Sequence, residues 1–253
     1  MKPILLLLFL APQVPPGWFE KSEKAYTIFY RDADREFIRD YNRIFKIGKK
    51  DVEGFFSTSF RKPFSIYVHP SRSSLDSTWQ KDWSLPEFKS ECWMVASGIS
   101  GRVDLISPIQ WKNQSCEHNY DDKAATQKLI THELVHVFHA QVNAGKDFDN
   151  LENLDWFVEG LAAYASGQVT NEKIQTVKLA IEEKKIPASL DDFWKGRIRY
   201  QLSGSIIQYI DQKWGRKKLK ALMTFTKKSE VLANLGITEA DLLSAWGEWM
   251  KRV

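Results

Sequence analysis

Hydrophobic and polar positions follow two different rhythms along this chain, and the change falls near its middle. In the first half, short runs dense in β-branched and aromatic residues predict strands at "AYTIFY" (Ala25 to Tyr30) and "FSIYVH" (Phe64 to His69). A third is predicted at "GRVDLISP" (Gly101 to Pro108), where Val103, Leu105 and Ser107 alternate against Arg102, Asp104 and Ile106. The "ASGISG" before it reads as a turn. Between the first two strands, Phe37, Tyr41, Ile44 and Phe45 recur at helical spacing, with Gly48 as the expected stop.

From Asp122 the pattern is helical throughout. "DKAATQKLITHELVHVFHAQV" has no proline, and Asp121 or Asp122 is placed to cap it. "DWFVEGLAAYASG" follows, with Asp155 as its candidate cap and Gly167 as its stop, and then "EKIQTVKLAIEEKK", "YQLSGSIIQYIDQKWG" and "TEADLLSAWGEWMKRV". There is no internal repeat. The expectation is an α+β fold: a mixed N-terminal lobe with a small sheet at residues 18–121 and a helical lobe at residues 122–253, together one domain.

Composition narrows the class. A 43% apolar content with ten tryptophans and fifteen phenylalanines belongs to a globular chain, not a disordered one. The net charge of +4 comes from 36 basic and 32 acidic residues that are interspersed, which gives no reason to expect nucleic acid. The one basic patch, "RKKLK" (Arg216 to Lys220), reads as a solvated helix face.

At the N-terminus, "MKPILLLLFLAPQVPPG" joins one lysine, an apolar run and a proline-rich break. The run is well short of the roughly 20 residues that cross a bilayer, so residues 1–17 are expected to be a secretory leader and the protein to be exported. The alternative is a buried first strand in a cytosolic protein. Cys92 and Cys116 either form one disulfide in an oxidising compartment or remain separate thiols. Without a Cys-x-x-Cys spacing they do not suggest a cysteine-bound zinc.

The chemistry lies in "THELVHVFHAQV" (Thr131 to Val142), where two histidines bracket a glutamate inside an apolar run. Such groups are costly to bury unless something pairs with them, and a metal ion is one such partner. His132 and His136 are four apart, so they share a helix face and can chelate one zinc ion. Glu133, about 100° around the helix from His132, is placed to act on water at the metal. A third ligand is available in "WFVEGLAAY", where Glu159 stands near the start of the next predicted helix.

H-E-x-x-H followed about twenty residues later by W-x-x-E-G-x-A resembles the gluzincin branch of zinc metallopeptidases, the peptidase MA-like superfamily. Those elements are His132, Glu133, His136, Trp156, Glu159, Gly160 and Ala162. The resemblance implies a zincin-like fold with the site on the helix between the lobes, and one zinc held by His132, His136 and Glu159. It implies Glu133 as general base, and a peptide or protein as substrate. It also implies a donor for the carbonyl oxygen from the C-terminal helices, and Tyr200 stands at the matching position. The chain departs from the family at Val158, where aminopeptidase relatives carry asparagine, and at Ala163, where thermolysin relatives carry aspartate.

The other histidines have lesser expected roles: His139 packs behind the site, while His69 and His118 lie in loops facing solvent. The strand from Arg102 to Ser107 is a candidate cleft edge that an extended peptide could join. Two other functions fit the same residues. One is a zinc hydrolase of a non-peptide amide or ester, and the other is an inactive relative that uses the fold to bind a partner.

Overall fold

The structure is a computed structural model that describes residues 14–253, so most of the expected leader lies outside the described residues. Five strands form one mixed sheet: β1 (Phe19–Ser22), β2 (Tyr26–Tyr30), β3 (Phe64–His69), β4 (Ala96–Ile99) and β5 (Arg102–Ile106). Their order is β1-β2-β3-β5-β4. β2, β3 and β5 are parallel, while β1 and β4 pair antiparallel at the two edges.

Two sequence expectations change here. The strand at Arg102–Ile106 is interior, and the edge belongs to β4, inside the stretch that reads as a turn. Glycine in that stretch signals a turn by composition, but Gly98 is there because helix and strand backbones meet. A Cβ at Gly98 would lie 2.2 Å from the carbonyl oxygen of Glu133.

The first helix, α1 (Ile38–Phe56), runs straight through Gly48 and ends at Ser57, which has a φ of 49°. Gly48 is a contact point and not a stop: a Cβ there would lie 3.0 Å from both Leu134 Cδ1 and Thr131 Oγ1. After β3 comes α2 (Arg72–Asp82), capped by Ser71 and only weakly amphipathic, which is why no apolar period marks it in the sequence. The short α3 (Trp111–Gln114) follows β5.

The remaining helices are α4 (Lys123–Ala140), α5 (Asp155–Ala165), α6 (Asn171–Glu182), α7 (Arg199–Trp214), α8 (Arg216–Leu222), α9 (Lys228–Leu235) and α10 (Glu239–Met250). The basic patch forms α8, yet Leu219 is buried and Arg216 pairs with Asp211 and donates to the Phe55 carbonyl, so the patch is only partly solvated.

Alternation along the strands assigns the two faces of the sheet. Phe64, Ile66, Val68 and Val103 face α1 and α4, as the Phe60, Phe64 and Phe138 ring contacts show. Tyr67, His69 and Asp104 face α2, which is tied on by Ser74 and by the Trp79 indole bonded to Ser97. One continuous core runs from Tyr26 on the sheet to Met250 on α10, so the sheet and the helical part form a single packed unit. No helix among the described residues is long and apolar enough to cross a membrane.

Candidate metal centre

Asp122 starts α4 by accepting a hydrogen bond from the Ala125 amide, the standard polar cap of a helix. From Ile130 to Ala140 every residue of this helix is buried, so its polar groups must find partners inside the protein. α5 crosses α4 after a loop anchored by Asn143, whose side-chain amide donates to the Met223 and Phe225 carbonyls. That loop holds Asp147, Phe148, Asn150 and Asn153 at positive φ. Such backbone is costly away from glycine and persists where the surroundings enforce it. Here Asp147 accepts from the Ser100 amide at the end of β4, and the Phe148 ring packs against His136 and His139.

Three donor atoms converge where the helices cross. His132 Nε2 and His136 Nε2 are 3.0 Å apart, and Glu159 Oε2 lies 3.3 Å from the first and 3.6 Å from the second. Donors held at about 2.0–2.1 Å in a tetrahedron lie about 3.3 Å from one another, so these separations fit a single ion. The three residues thus form a group able to hold a metal. Gly160 allows α5 to come this close to α7 directly behind Glu159, since a Cβ there would lie 2.4 Å from the Ser203 carbonyl oxygen.

The charges of these groups act strongly on one another. Burial works against charge at Glu159, but the charge of His136 and hydrogen bonds from both histidines outweigh it and hold the carboxyl well below the usual range. Burial opposes charge at His136 too, and the Glu159 carboxylate reverses this and raises the imidazole above its ordinary value. Glu133 is pushed up by burial, against the pull of His132 and His136. The Nδ1 atom of His132 is buried with no hydrogen-bond partner, so edge contacts with His136 and Tyr200 orient that ring.

His132, His136, Glu159, Glu133 and Tyr200 all line one cleft of about 760 Å³. Val158 lines it too, whereas Ala163 is buried against α7, where a Cβ at Gly204 would meet its own Cβ at 3.5 Å. The Glu159 side chain is 25% exposed, so the donor group is reachable from the cleft. The free edge of β4 borders the cleft through Ala96, Ser97 and Gly98. Tyr200 stands in the first turn of α7, its ring edge-on to His132 and to Trp194, with its hydroxyl pushed far up by burial and then by the charge of Glu159.

The remaining histidines are elsewhere. His139 is buried, with Nε2 bonded to the Met223 carbonyl. His69 is buried at the end of β3, bonded to Asp104 and Ser74, and does not face solvent. His118 sits half-buried on the cleft rim, bonded to the Trp93 carbonyl. Cys92 and Cys116 form a disulfide that joins the two rim segments carrying Trp93 and His118.

Several cleft residues are not evident in the sequence. Lys128 had a signal, since it lies four positions before His132 on the same helix face. Trp93, Trp194 and Lys173 had none, because only the fold brings them to the site. No family model matches the chain, and no curated protein matches it.

Proposed function

We propose that the protein is an exported, zinc-dependent metallopeptidase of the gluzincin type. The observation that carries this reading is the convergence of His132, His136 and Glu159 from two helices, at tetrahedral spacing, with Glu133 beside them in an open cleft. Zinc is the metal of choice because two imidazoles and one carboxylate, with room for a further ligand, match its catalytic donor set. When bound, zinc acts as a Lewis acid, which makes water acidic enough to give up a proton near neutral pH and polarises a carbonyl.

The chain's own residues do the rest. Glu133, raised by burial, takes the proton from the attacking water and passes it to the leaving amine, a role that suits a carboxylate of elevated proton affinity. Tyr200, kept protonated by its surroundings, donates its O–H to the carbonyl oxygen as charge gathers there. The free edge of β4 offers backbone groups to an extended peptide, which would lie along it as an added strand above Glu133. The sheet with its edge strand laid against α4, and α5 returning across α4, support a zincin-like arrangement. The Cys92–Cys116 disulfide supports an oxidising compartment and therefore export.

The test compares the protein with its Glu133→Gln variant for bound zinc and for hydrolysis of a peptide library. Both should hold one zinc, and the variant should lose about 10²–10⁴-fold in rate. Zinc in both with cleavage by neither would sink the peptidase reading and favour binding or another acyl substrate. Absence of zinc from the unmodified protein would sink the metal site itself.

A further inference from the structure

The cleft wall carries two lysines that peptide hydrolysis by Glu133 does not require. Lys128 stands on α4 one turn before His132, and Lys173 stands in the first turn of α6, and both line the cleft. Lys123 on the same helix pairs with Asp40, but among the described residues neither Lys128 nor Lys173 has a carboxylate oxygen within the 4.0 Å of an ion pair.

The acidic groups around them make no ion pair with either lysine. Asp122 caps α4, and Glu117 lies exposed on the rim. Glu172 feels the charge of Lys128 but is fully exposed and makes no ion pair with it. Lys173 is half-buried, and burial, followed by the charge of Lys128, lowers its proton affinity. Two like charges on one half-buried wall, neither held in an ion pair, form a surface complementary to an anion.

We propose that Lys128 and Lys173 form a carboxylate-binding subsite that selects substrates bearing a carboxylate near the bond to be cut. The carboxylate is either an Asp or Glu side chain or the free C-terminus of the peptide. One helical turn of about 5.4 Å separates Lys128 from His132, and an extended peptide covers about 3.3 Å per residue, so the carboxylate belongs within about two residues of the scissile bond. The proposal rests on the peptidase reading for the word substrate, but the subsite can be measured without turnover.

The measurement is equilibrium binding to the zinc-loaded Glu133→Gln protein, read by the fluorescence of the cleft tryptophans. The probes are alanine-based hexapeptides carrying Glu or Gln at each position in turn, each with a free or amidated C-terminus. Carboxylate-bearing peptides should bind about tenfold more tightly than their neutral partners, as a charge-assisted contact allows. Lys128→Gln and Lys173→Gln should each erase most of that difference, leaving neutral, amidated peptides within about twofold. Lys173→Glu should turn the preference towards peptides with lysine in place of the acid. Preference for Glu over Gln assigns the subsite to a side chain, and preference for the free over the amidated end assigns it to the chain terminus. Equal affinity for charged and neutral peptides overturns the proposal, even where the unmodified protein cleaves neutral peptides. A carboxylate preference that disappears with the lysines upholds it, even where nothing is cleaved and the peptidase reading falls.

Discussion

His69 and His132 are both buried histidines set against carboxylates, yet the polar atoms around His69 are all used within the protein and those around His132 are not. His69 Nε2 lies 2.9 Å from Asp104 Oδ1, and its Nδ1 lies 3.1 Å from Ser74 Oγ. Arg102 takes up the other Asp104 oxygen at 2.5 Å and reaches on to Asp82. This network closes on itself and holds α2 against the sheet. At the other cluster, Nε2 of His132 faces Nε2 of His136, Glu159 aims its oxygen at both, and Nδ1 of His132 has no partner. Histidine and carboxylate next to each other therefore say little about function. What separates a structural pair from a ligand site is whether its hydrogen-bonding capacity is spent or left converging on one point in a cleft.

The comparison breaks most sharply if Asp104 is removed. Asp104→Ala strips a buried carboxylate from His69 and Arg102 and should cost about 3–5 kcal/mol, the usual penalty for leaving one member of a buried pair behind. Thermal unfolding should show it as a drop of about 2–4 °C per kcal/mol, with zinc binding unchanged. A variant that unfolds normally but loses zinc would mean that the two clusters are coupled. Glu159→Ala should act first on the metal. Removing a supporting group behind a ligand already costs about 10–100-fold in metal affinity, so losing a ligand should exceed 100-fold. Competition with a chelator measures it, and unchanged affinity would remove Glu159 from the site.

Tyr200→Phe is the next largest. The ring keeps its contacts with Trp194 and His132, so folding and zinc content should hold, while turnover of a peptide substrate should fall by about 10²-fold, as for loss of one donor to a developing oxyanion. Unchanged turnover would leave Tyr200 as wall packing.

Much of the candidate site is legible in the sequence because it is periodic or local. The i, i+4 spacing of His132 and His136 is a property of one helix, and Asp122 as cap is a property of its first turn. The supporting frame is less legible because it is made of long-range contacts. Gly98 reads as a turn residue until α4 lies across it, and Gly48 reads as a helix stop until Leu134 and Thr131 pack against it. α2 leaves only a short apolar stripe, since Leu75 and Trp79 alone are buried and its ties to the sheet, Ser74 and Trp79, bond to polar partners. His69 reads as a loop residue for the same reason: Asp104, its main partner, lies 35 residues away. Nothing at His69 itself announces that both its nitrogens are satisfied.

The smallest effect concerns pH and compares two histidines three residues apart on α4. His139 is depressed to about 3 by burial and by the charge of His136, whereas Glu159 raises His136 above its ordinary value. For His139 the unfolded chain binds the proton more readily, so its contribution to stability is whole above about pH 6.5 and is lost as pH falls from there towards 3. For His136 the folded protein binds the proton more readily, so the contribution is whole below about pH 6.5 and is lost as pH rises through the raised value. The metal-free protein should therefore melt highest close to pH 6.5 as far as these two groups are concerned. Zinc needs His136 unprotonated, so adding it should remove the alkaline loss and leave the acid loss in place. His139→Gln should flatten the acid limb alone. Melting profiles taken with zinc and with a chelator test both statements, and an acid limb in His139→Gln parallel to that of the unmodified protein would show that His139 is not the group that titrates there.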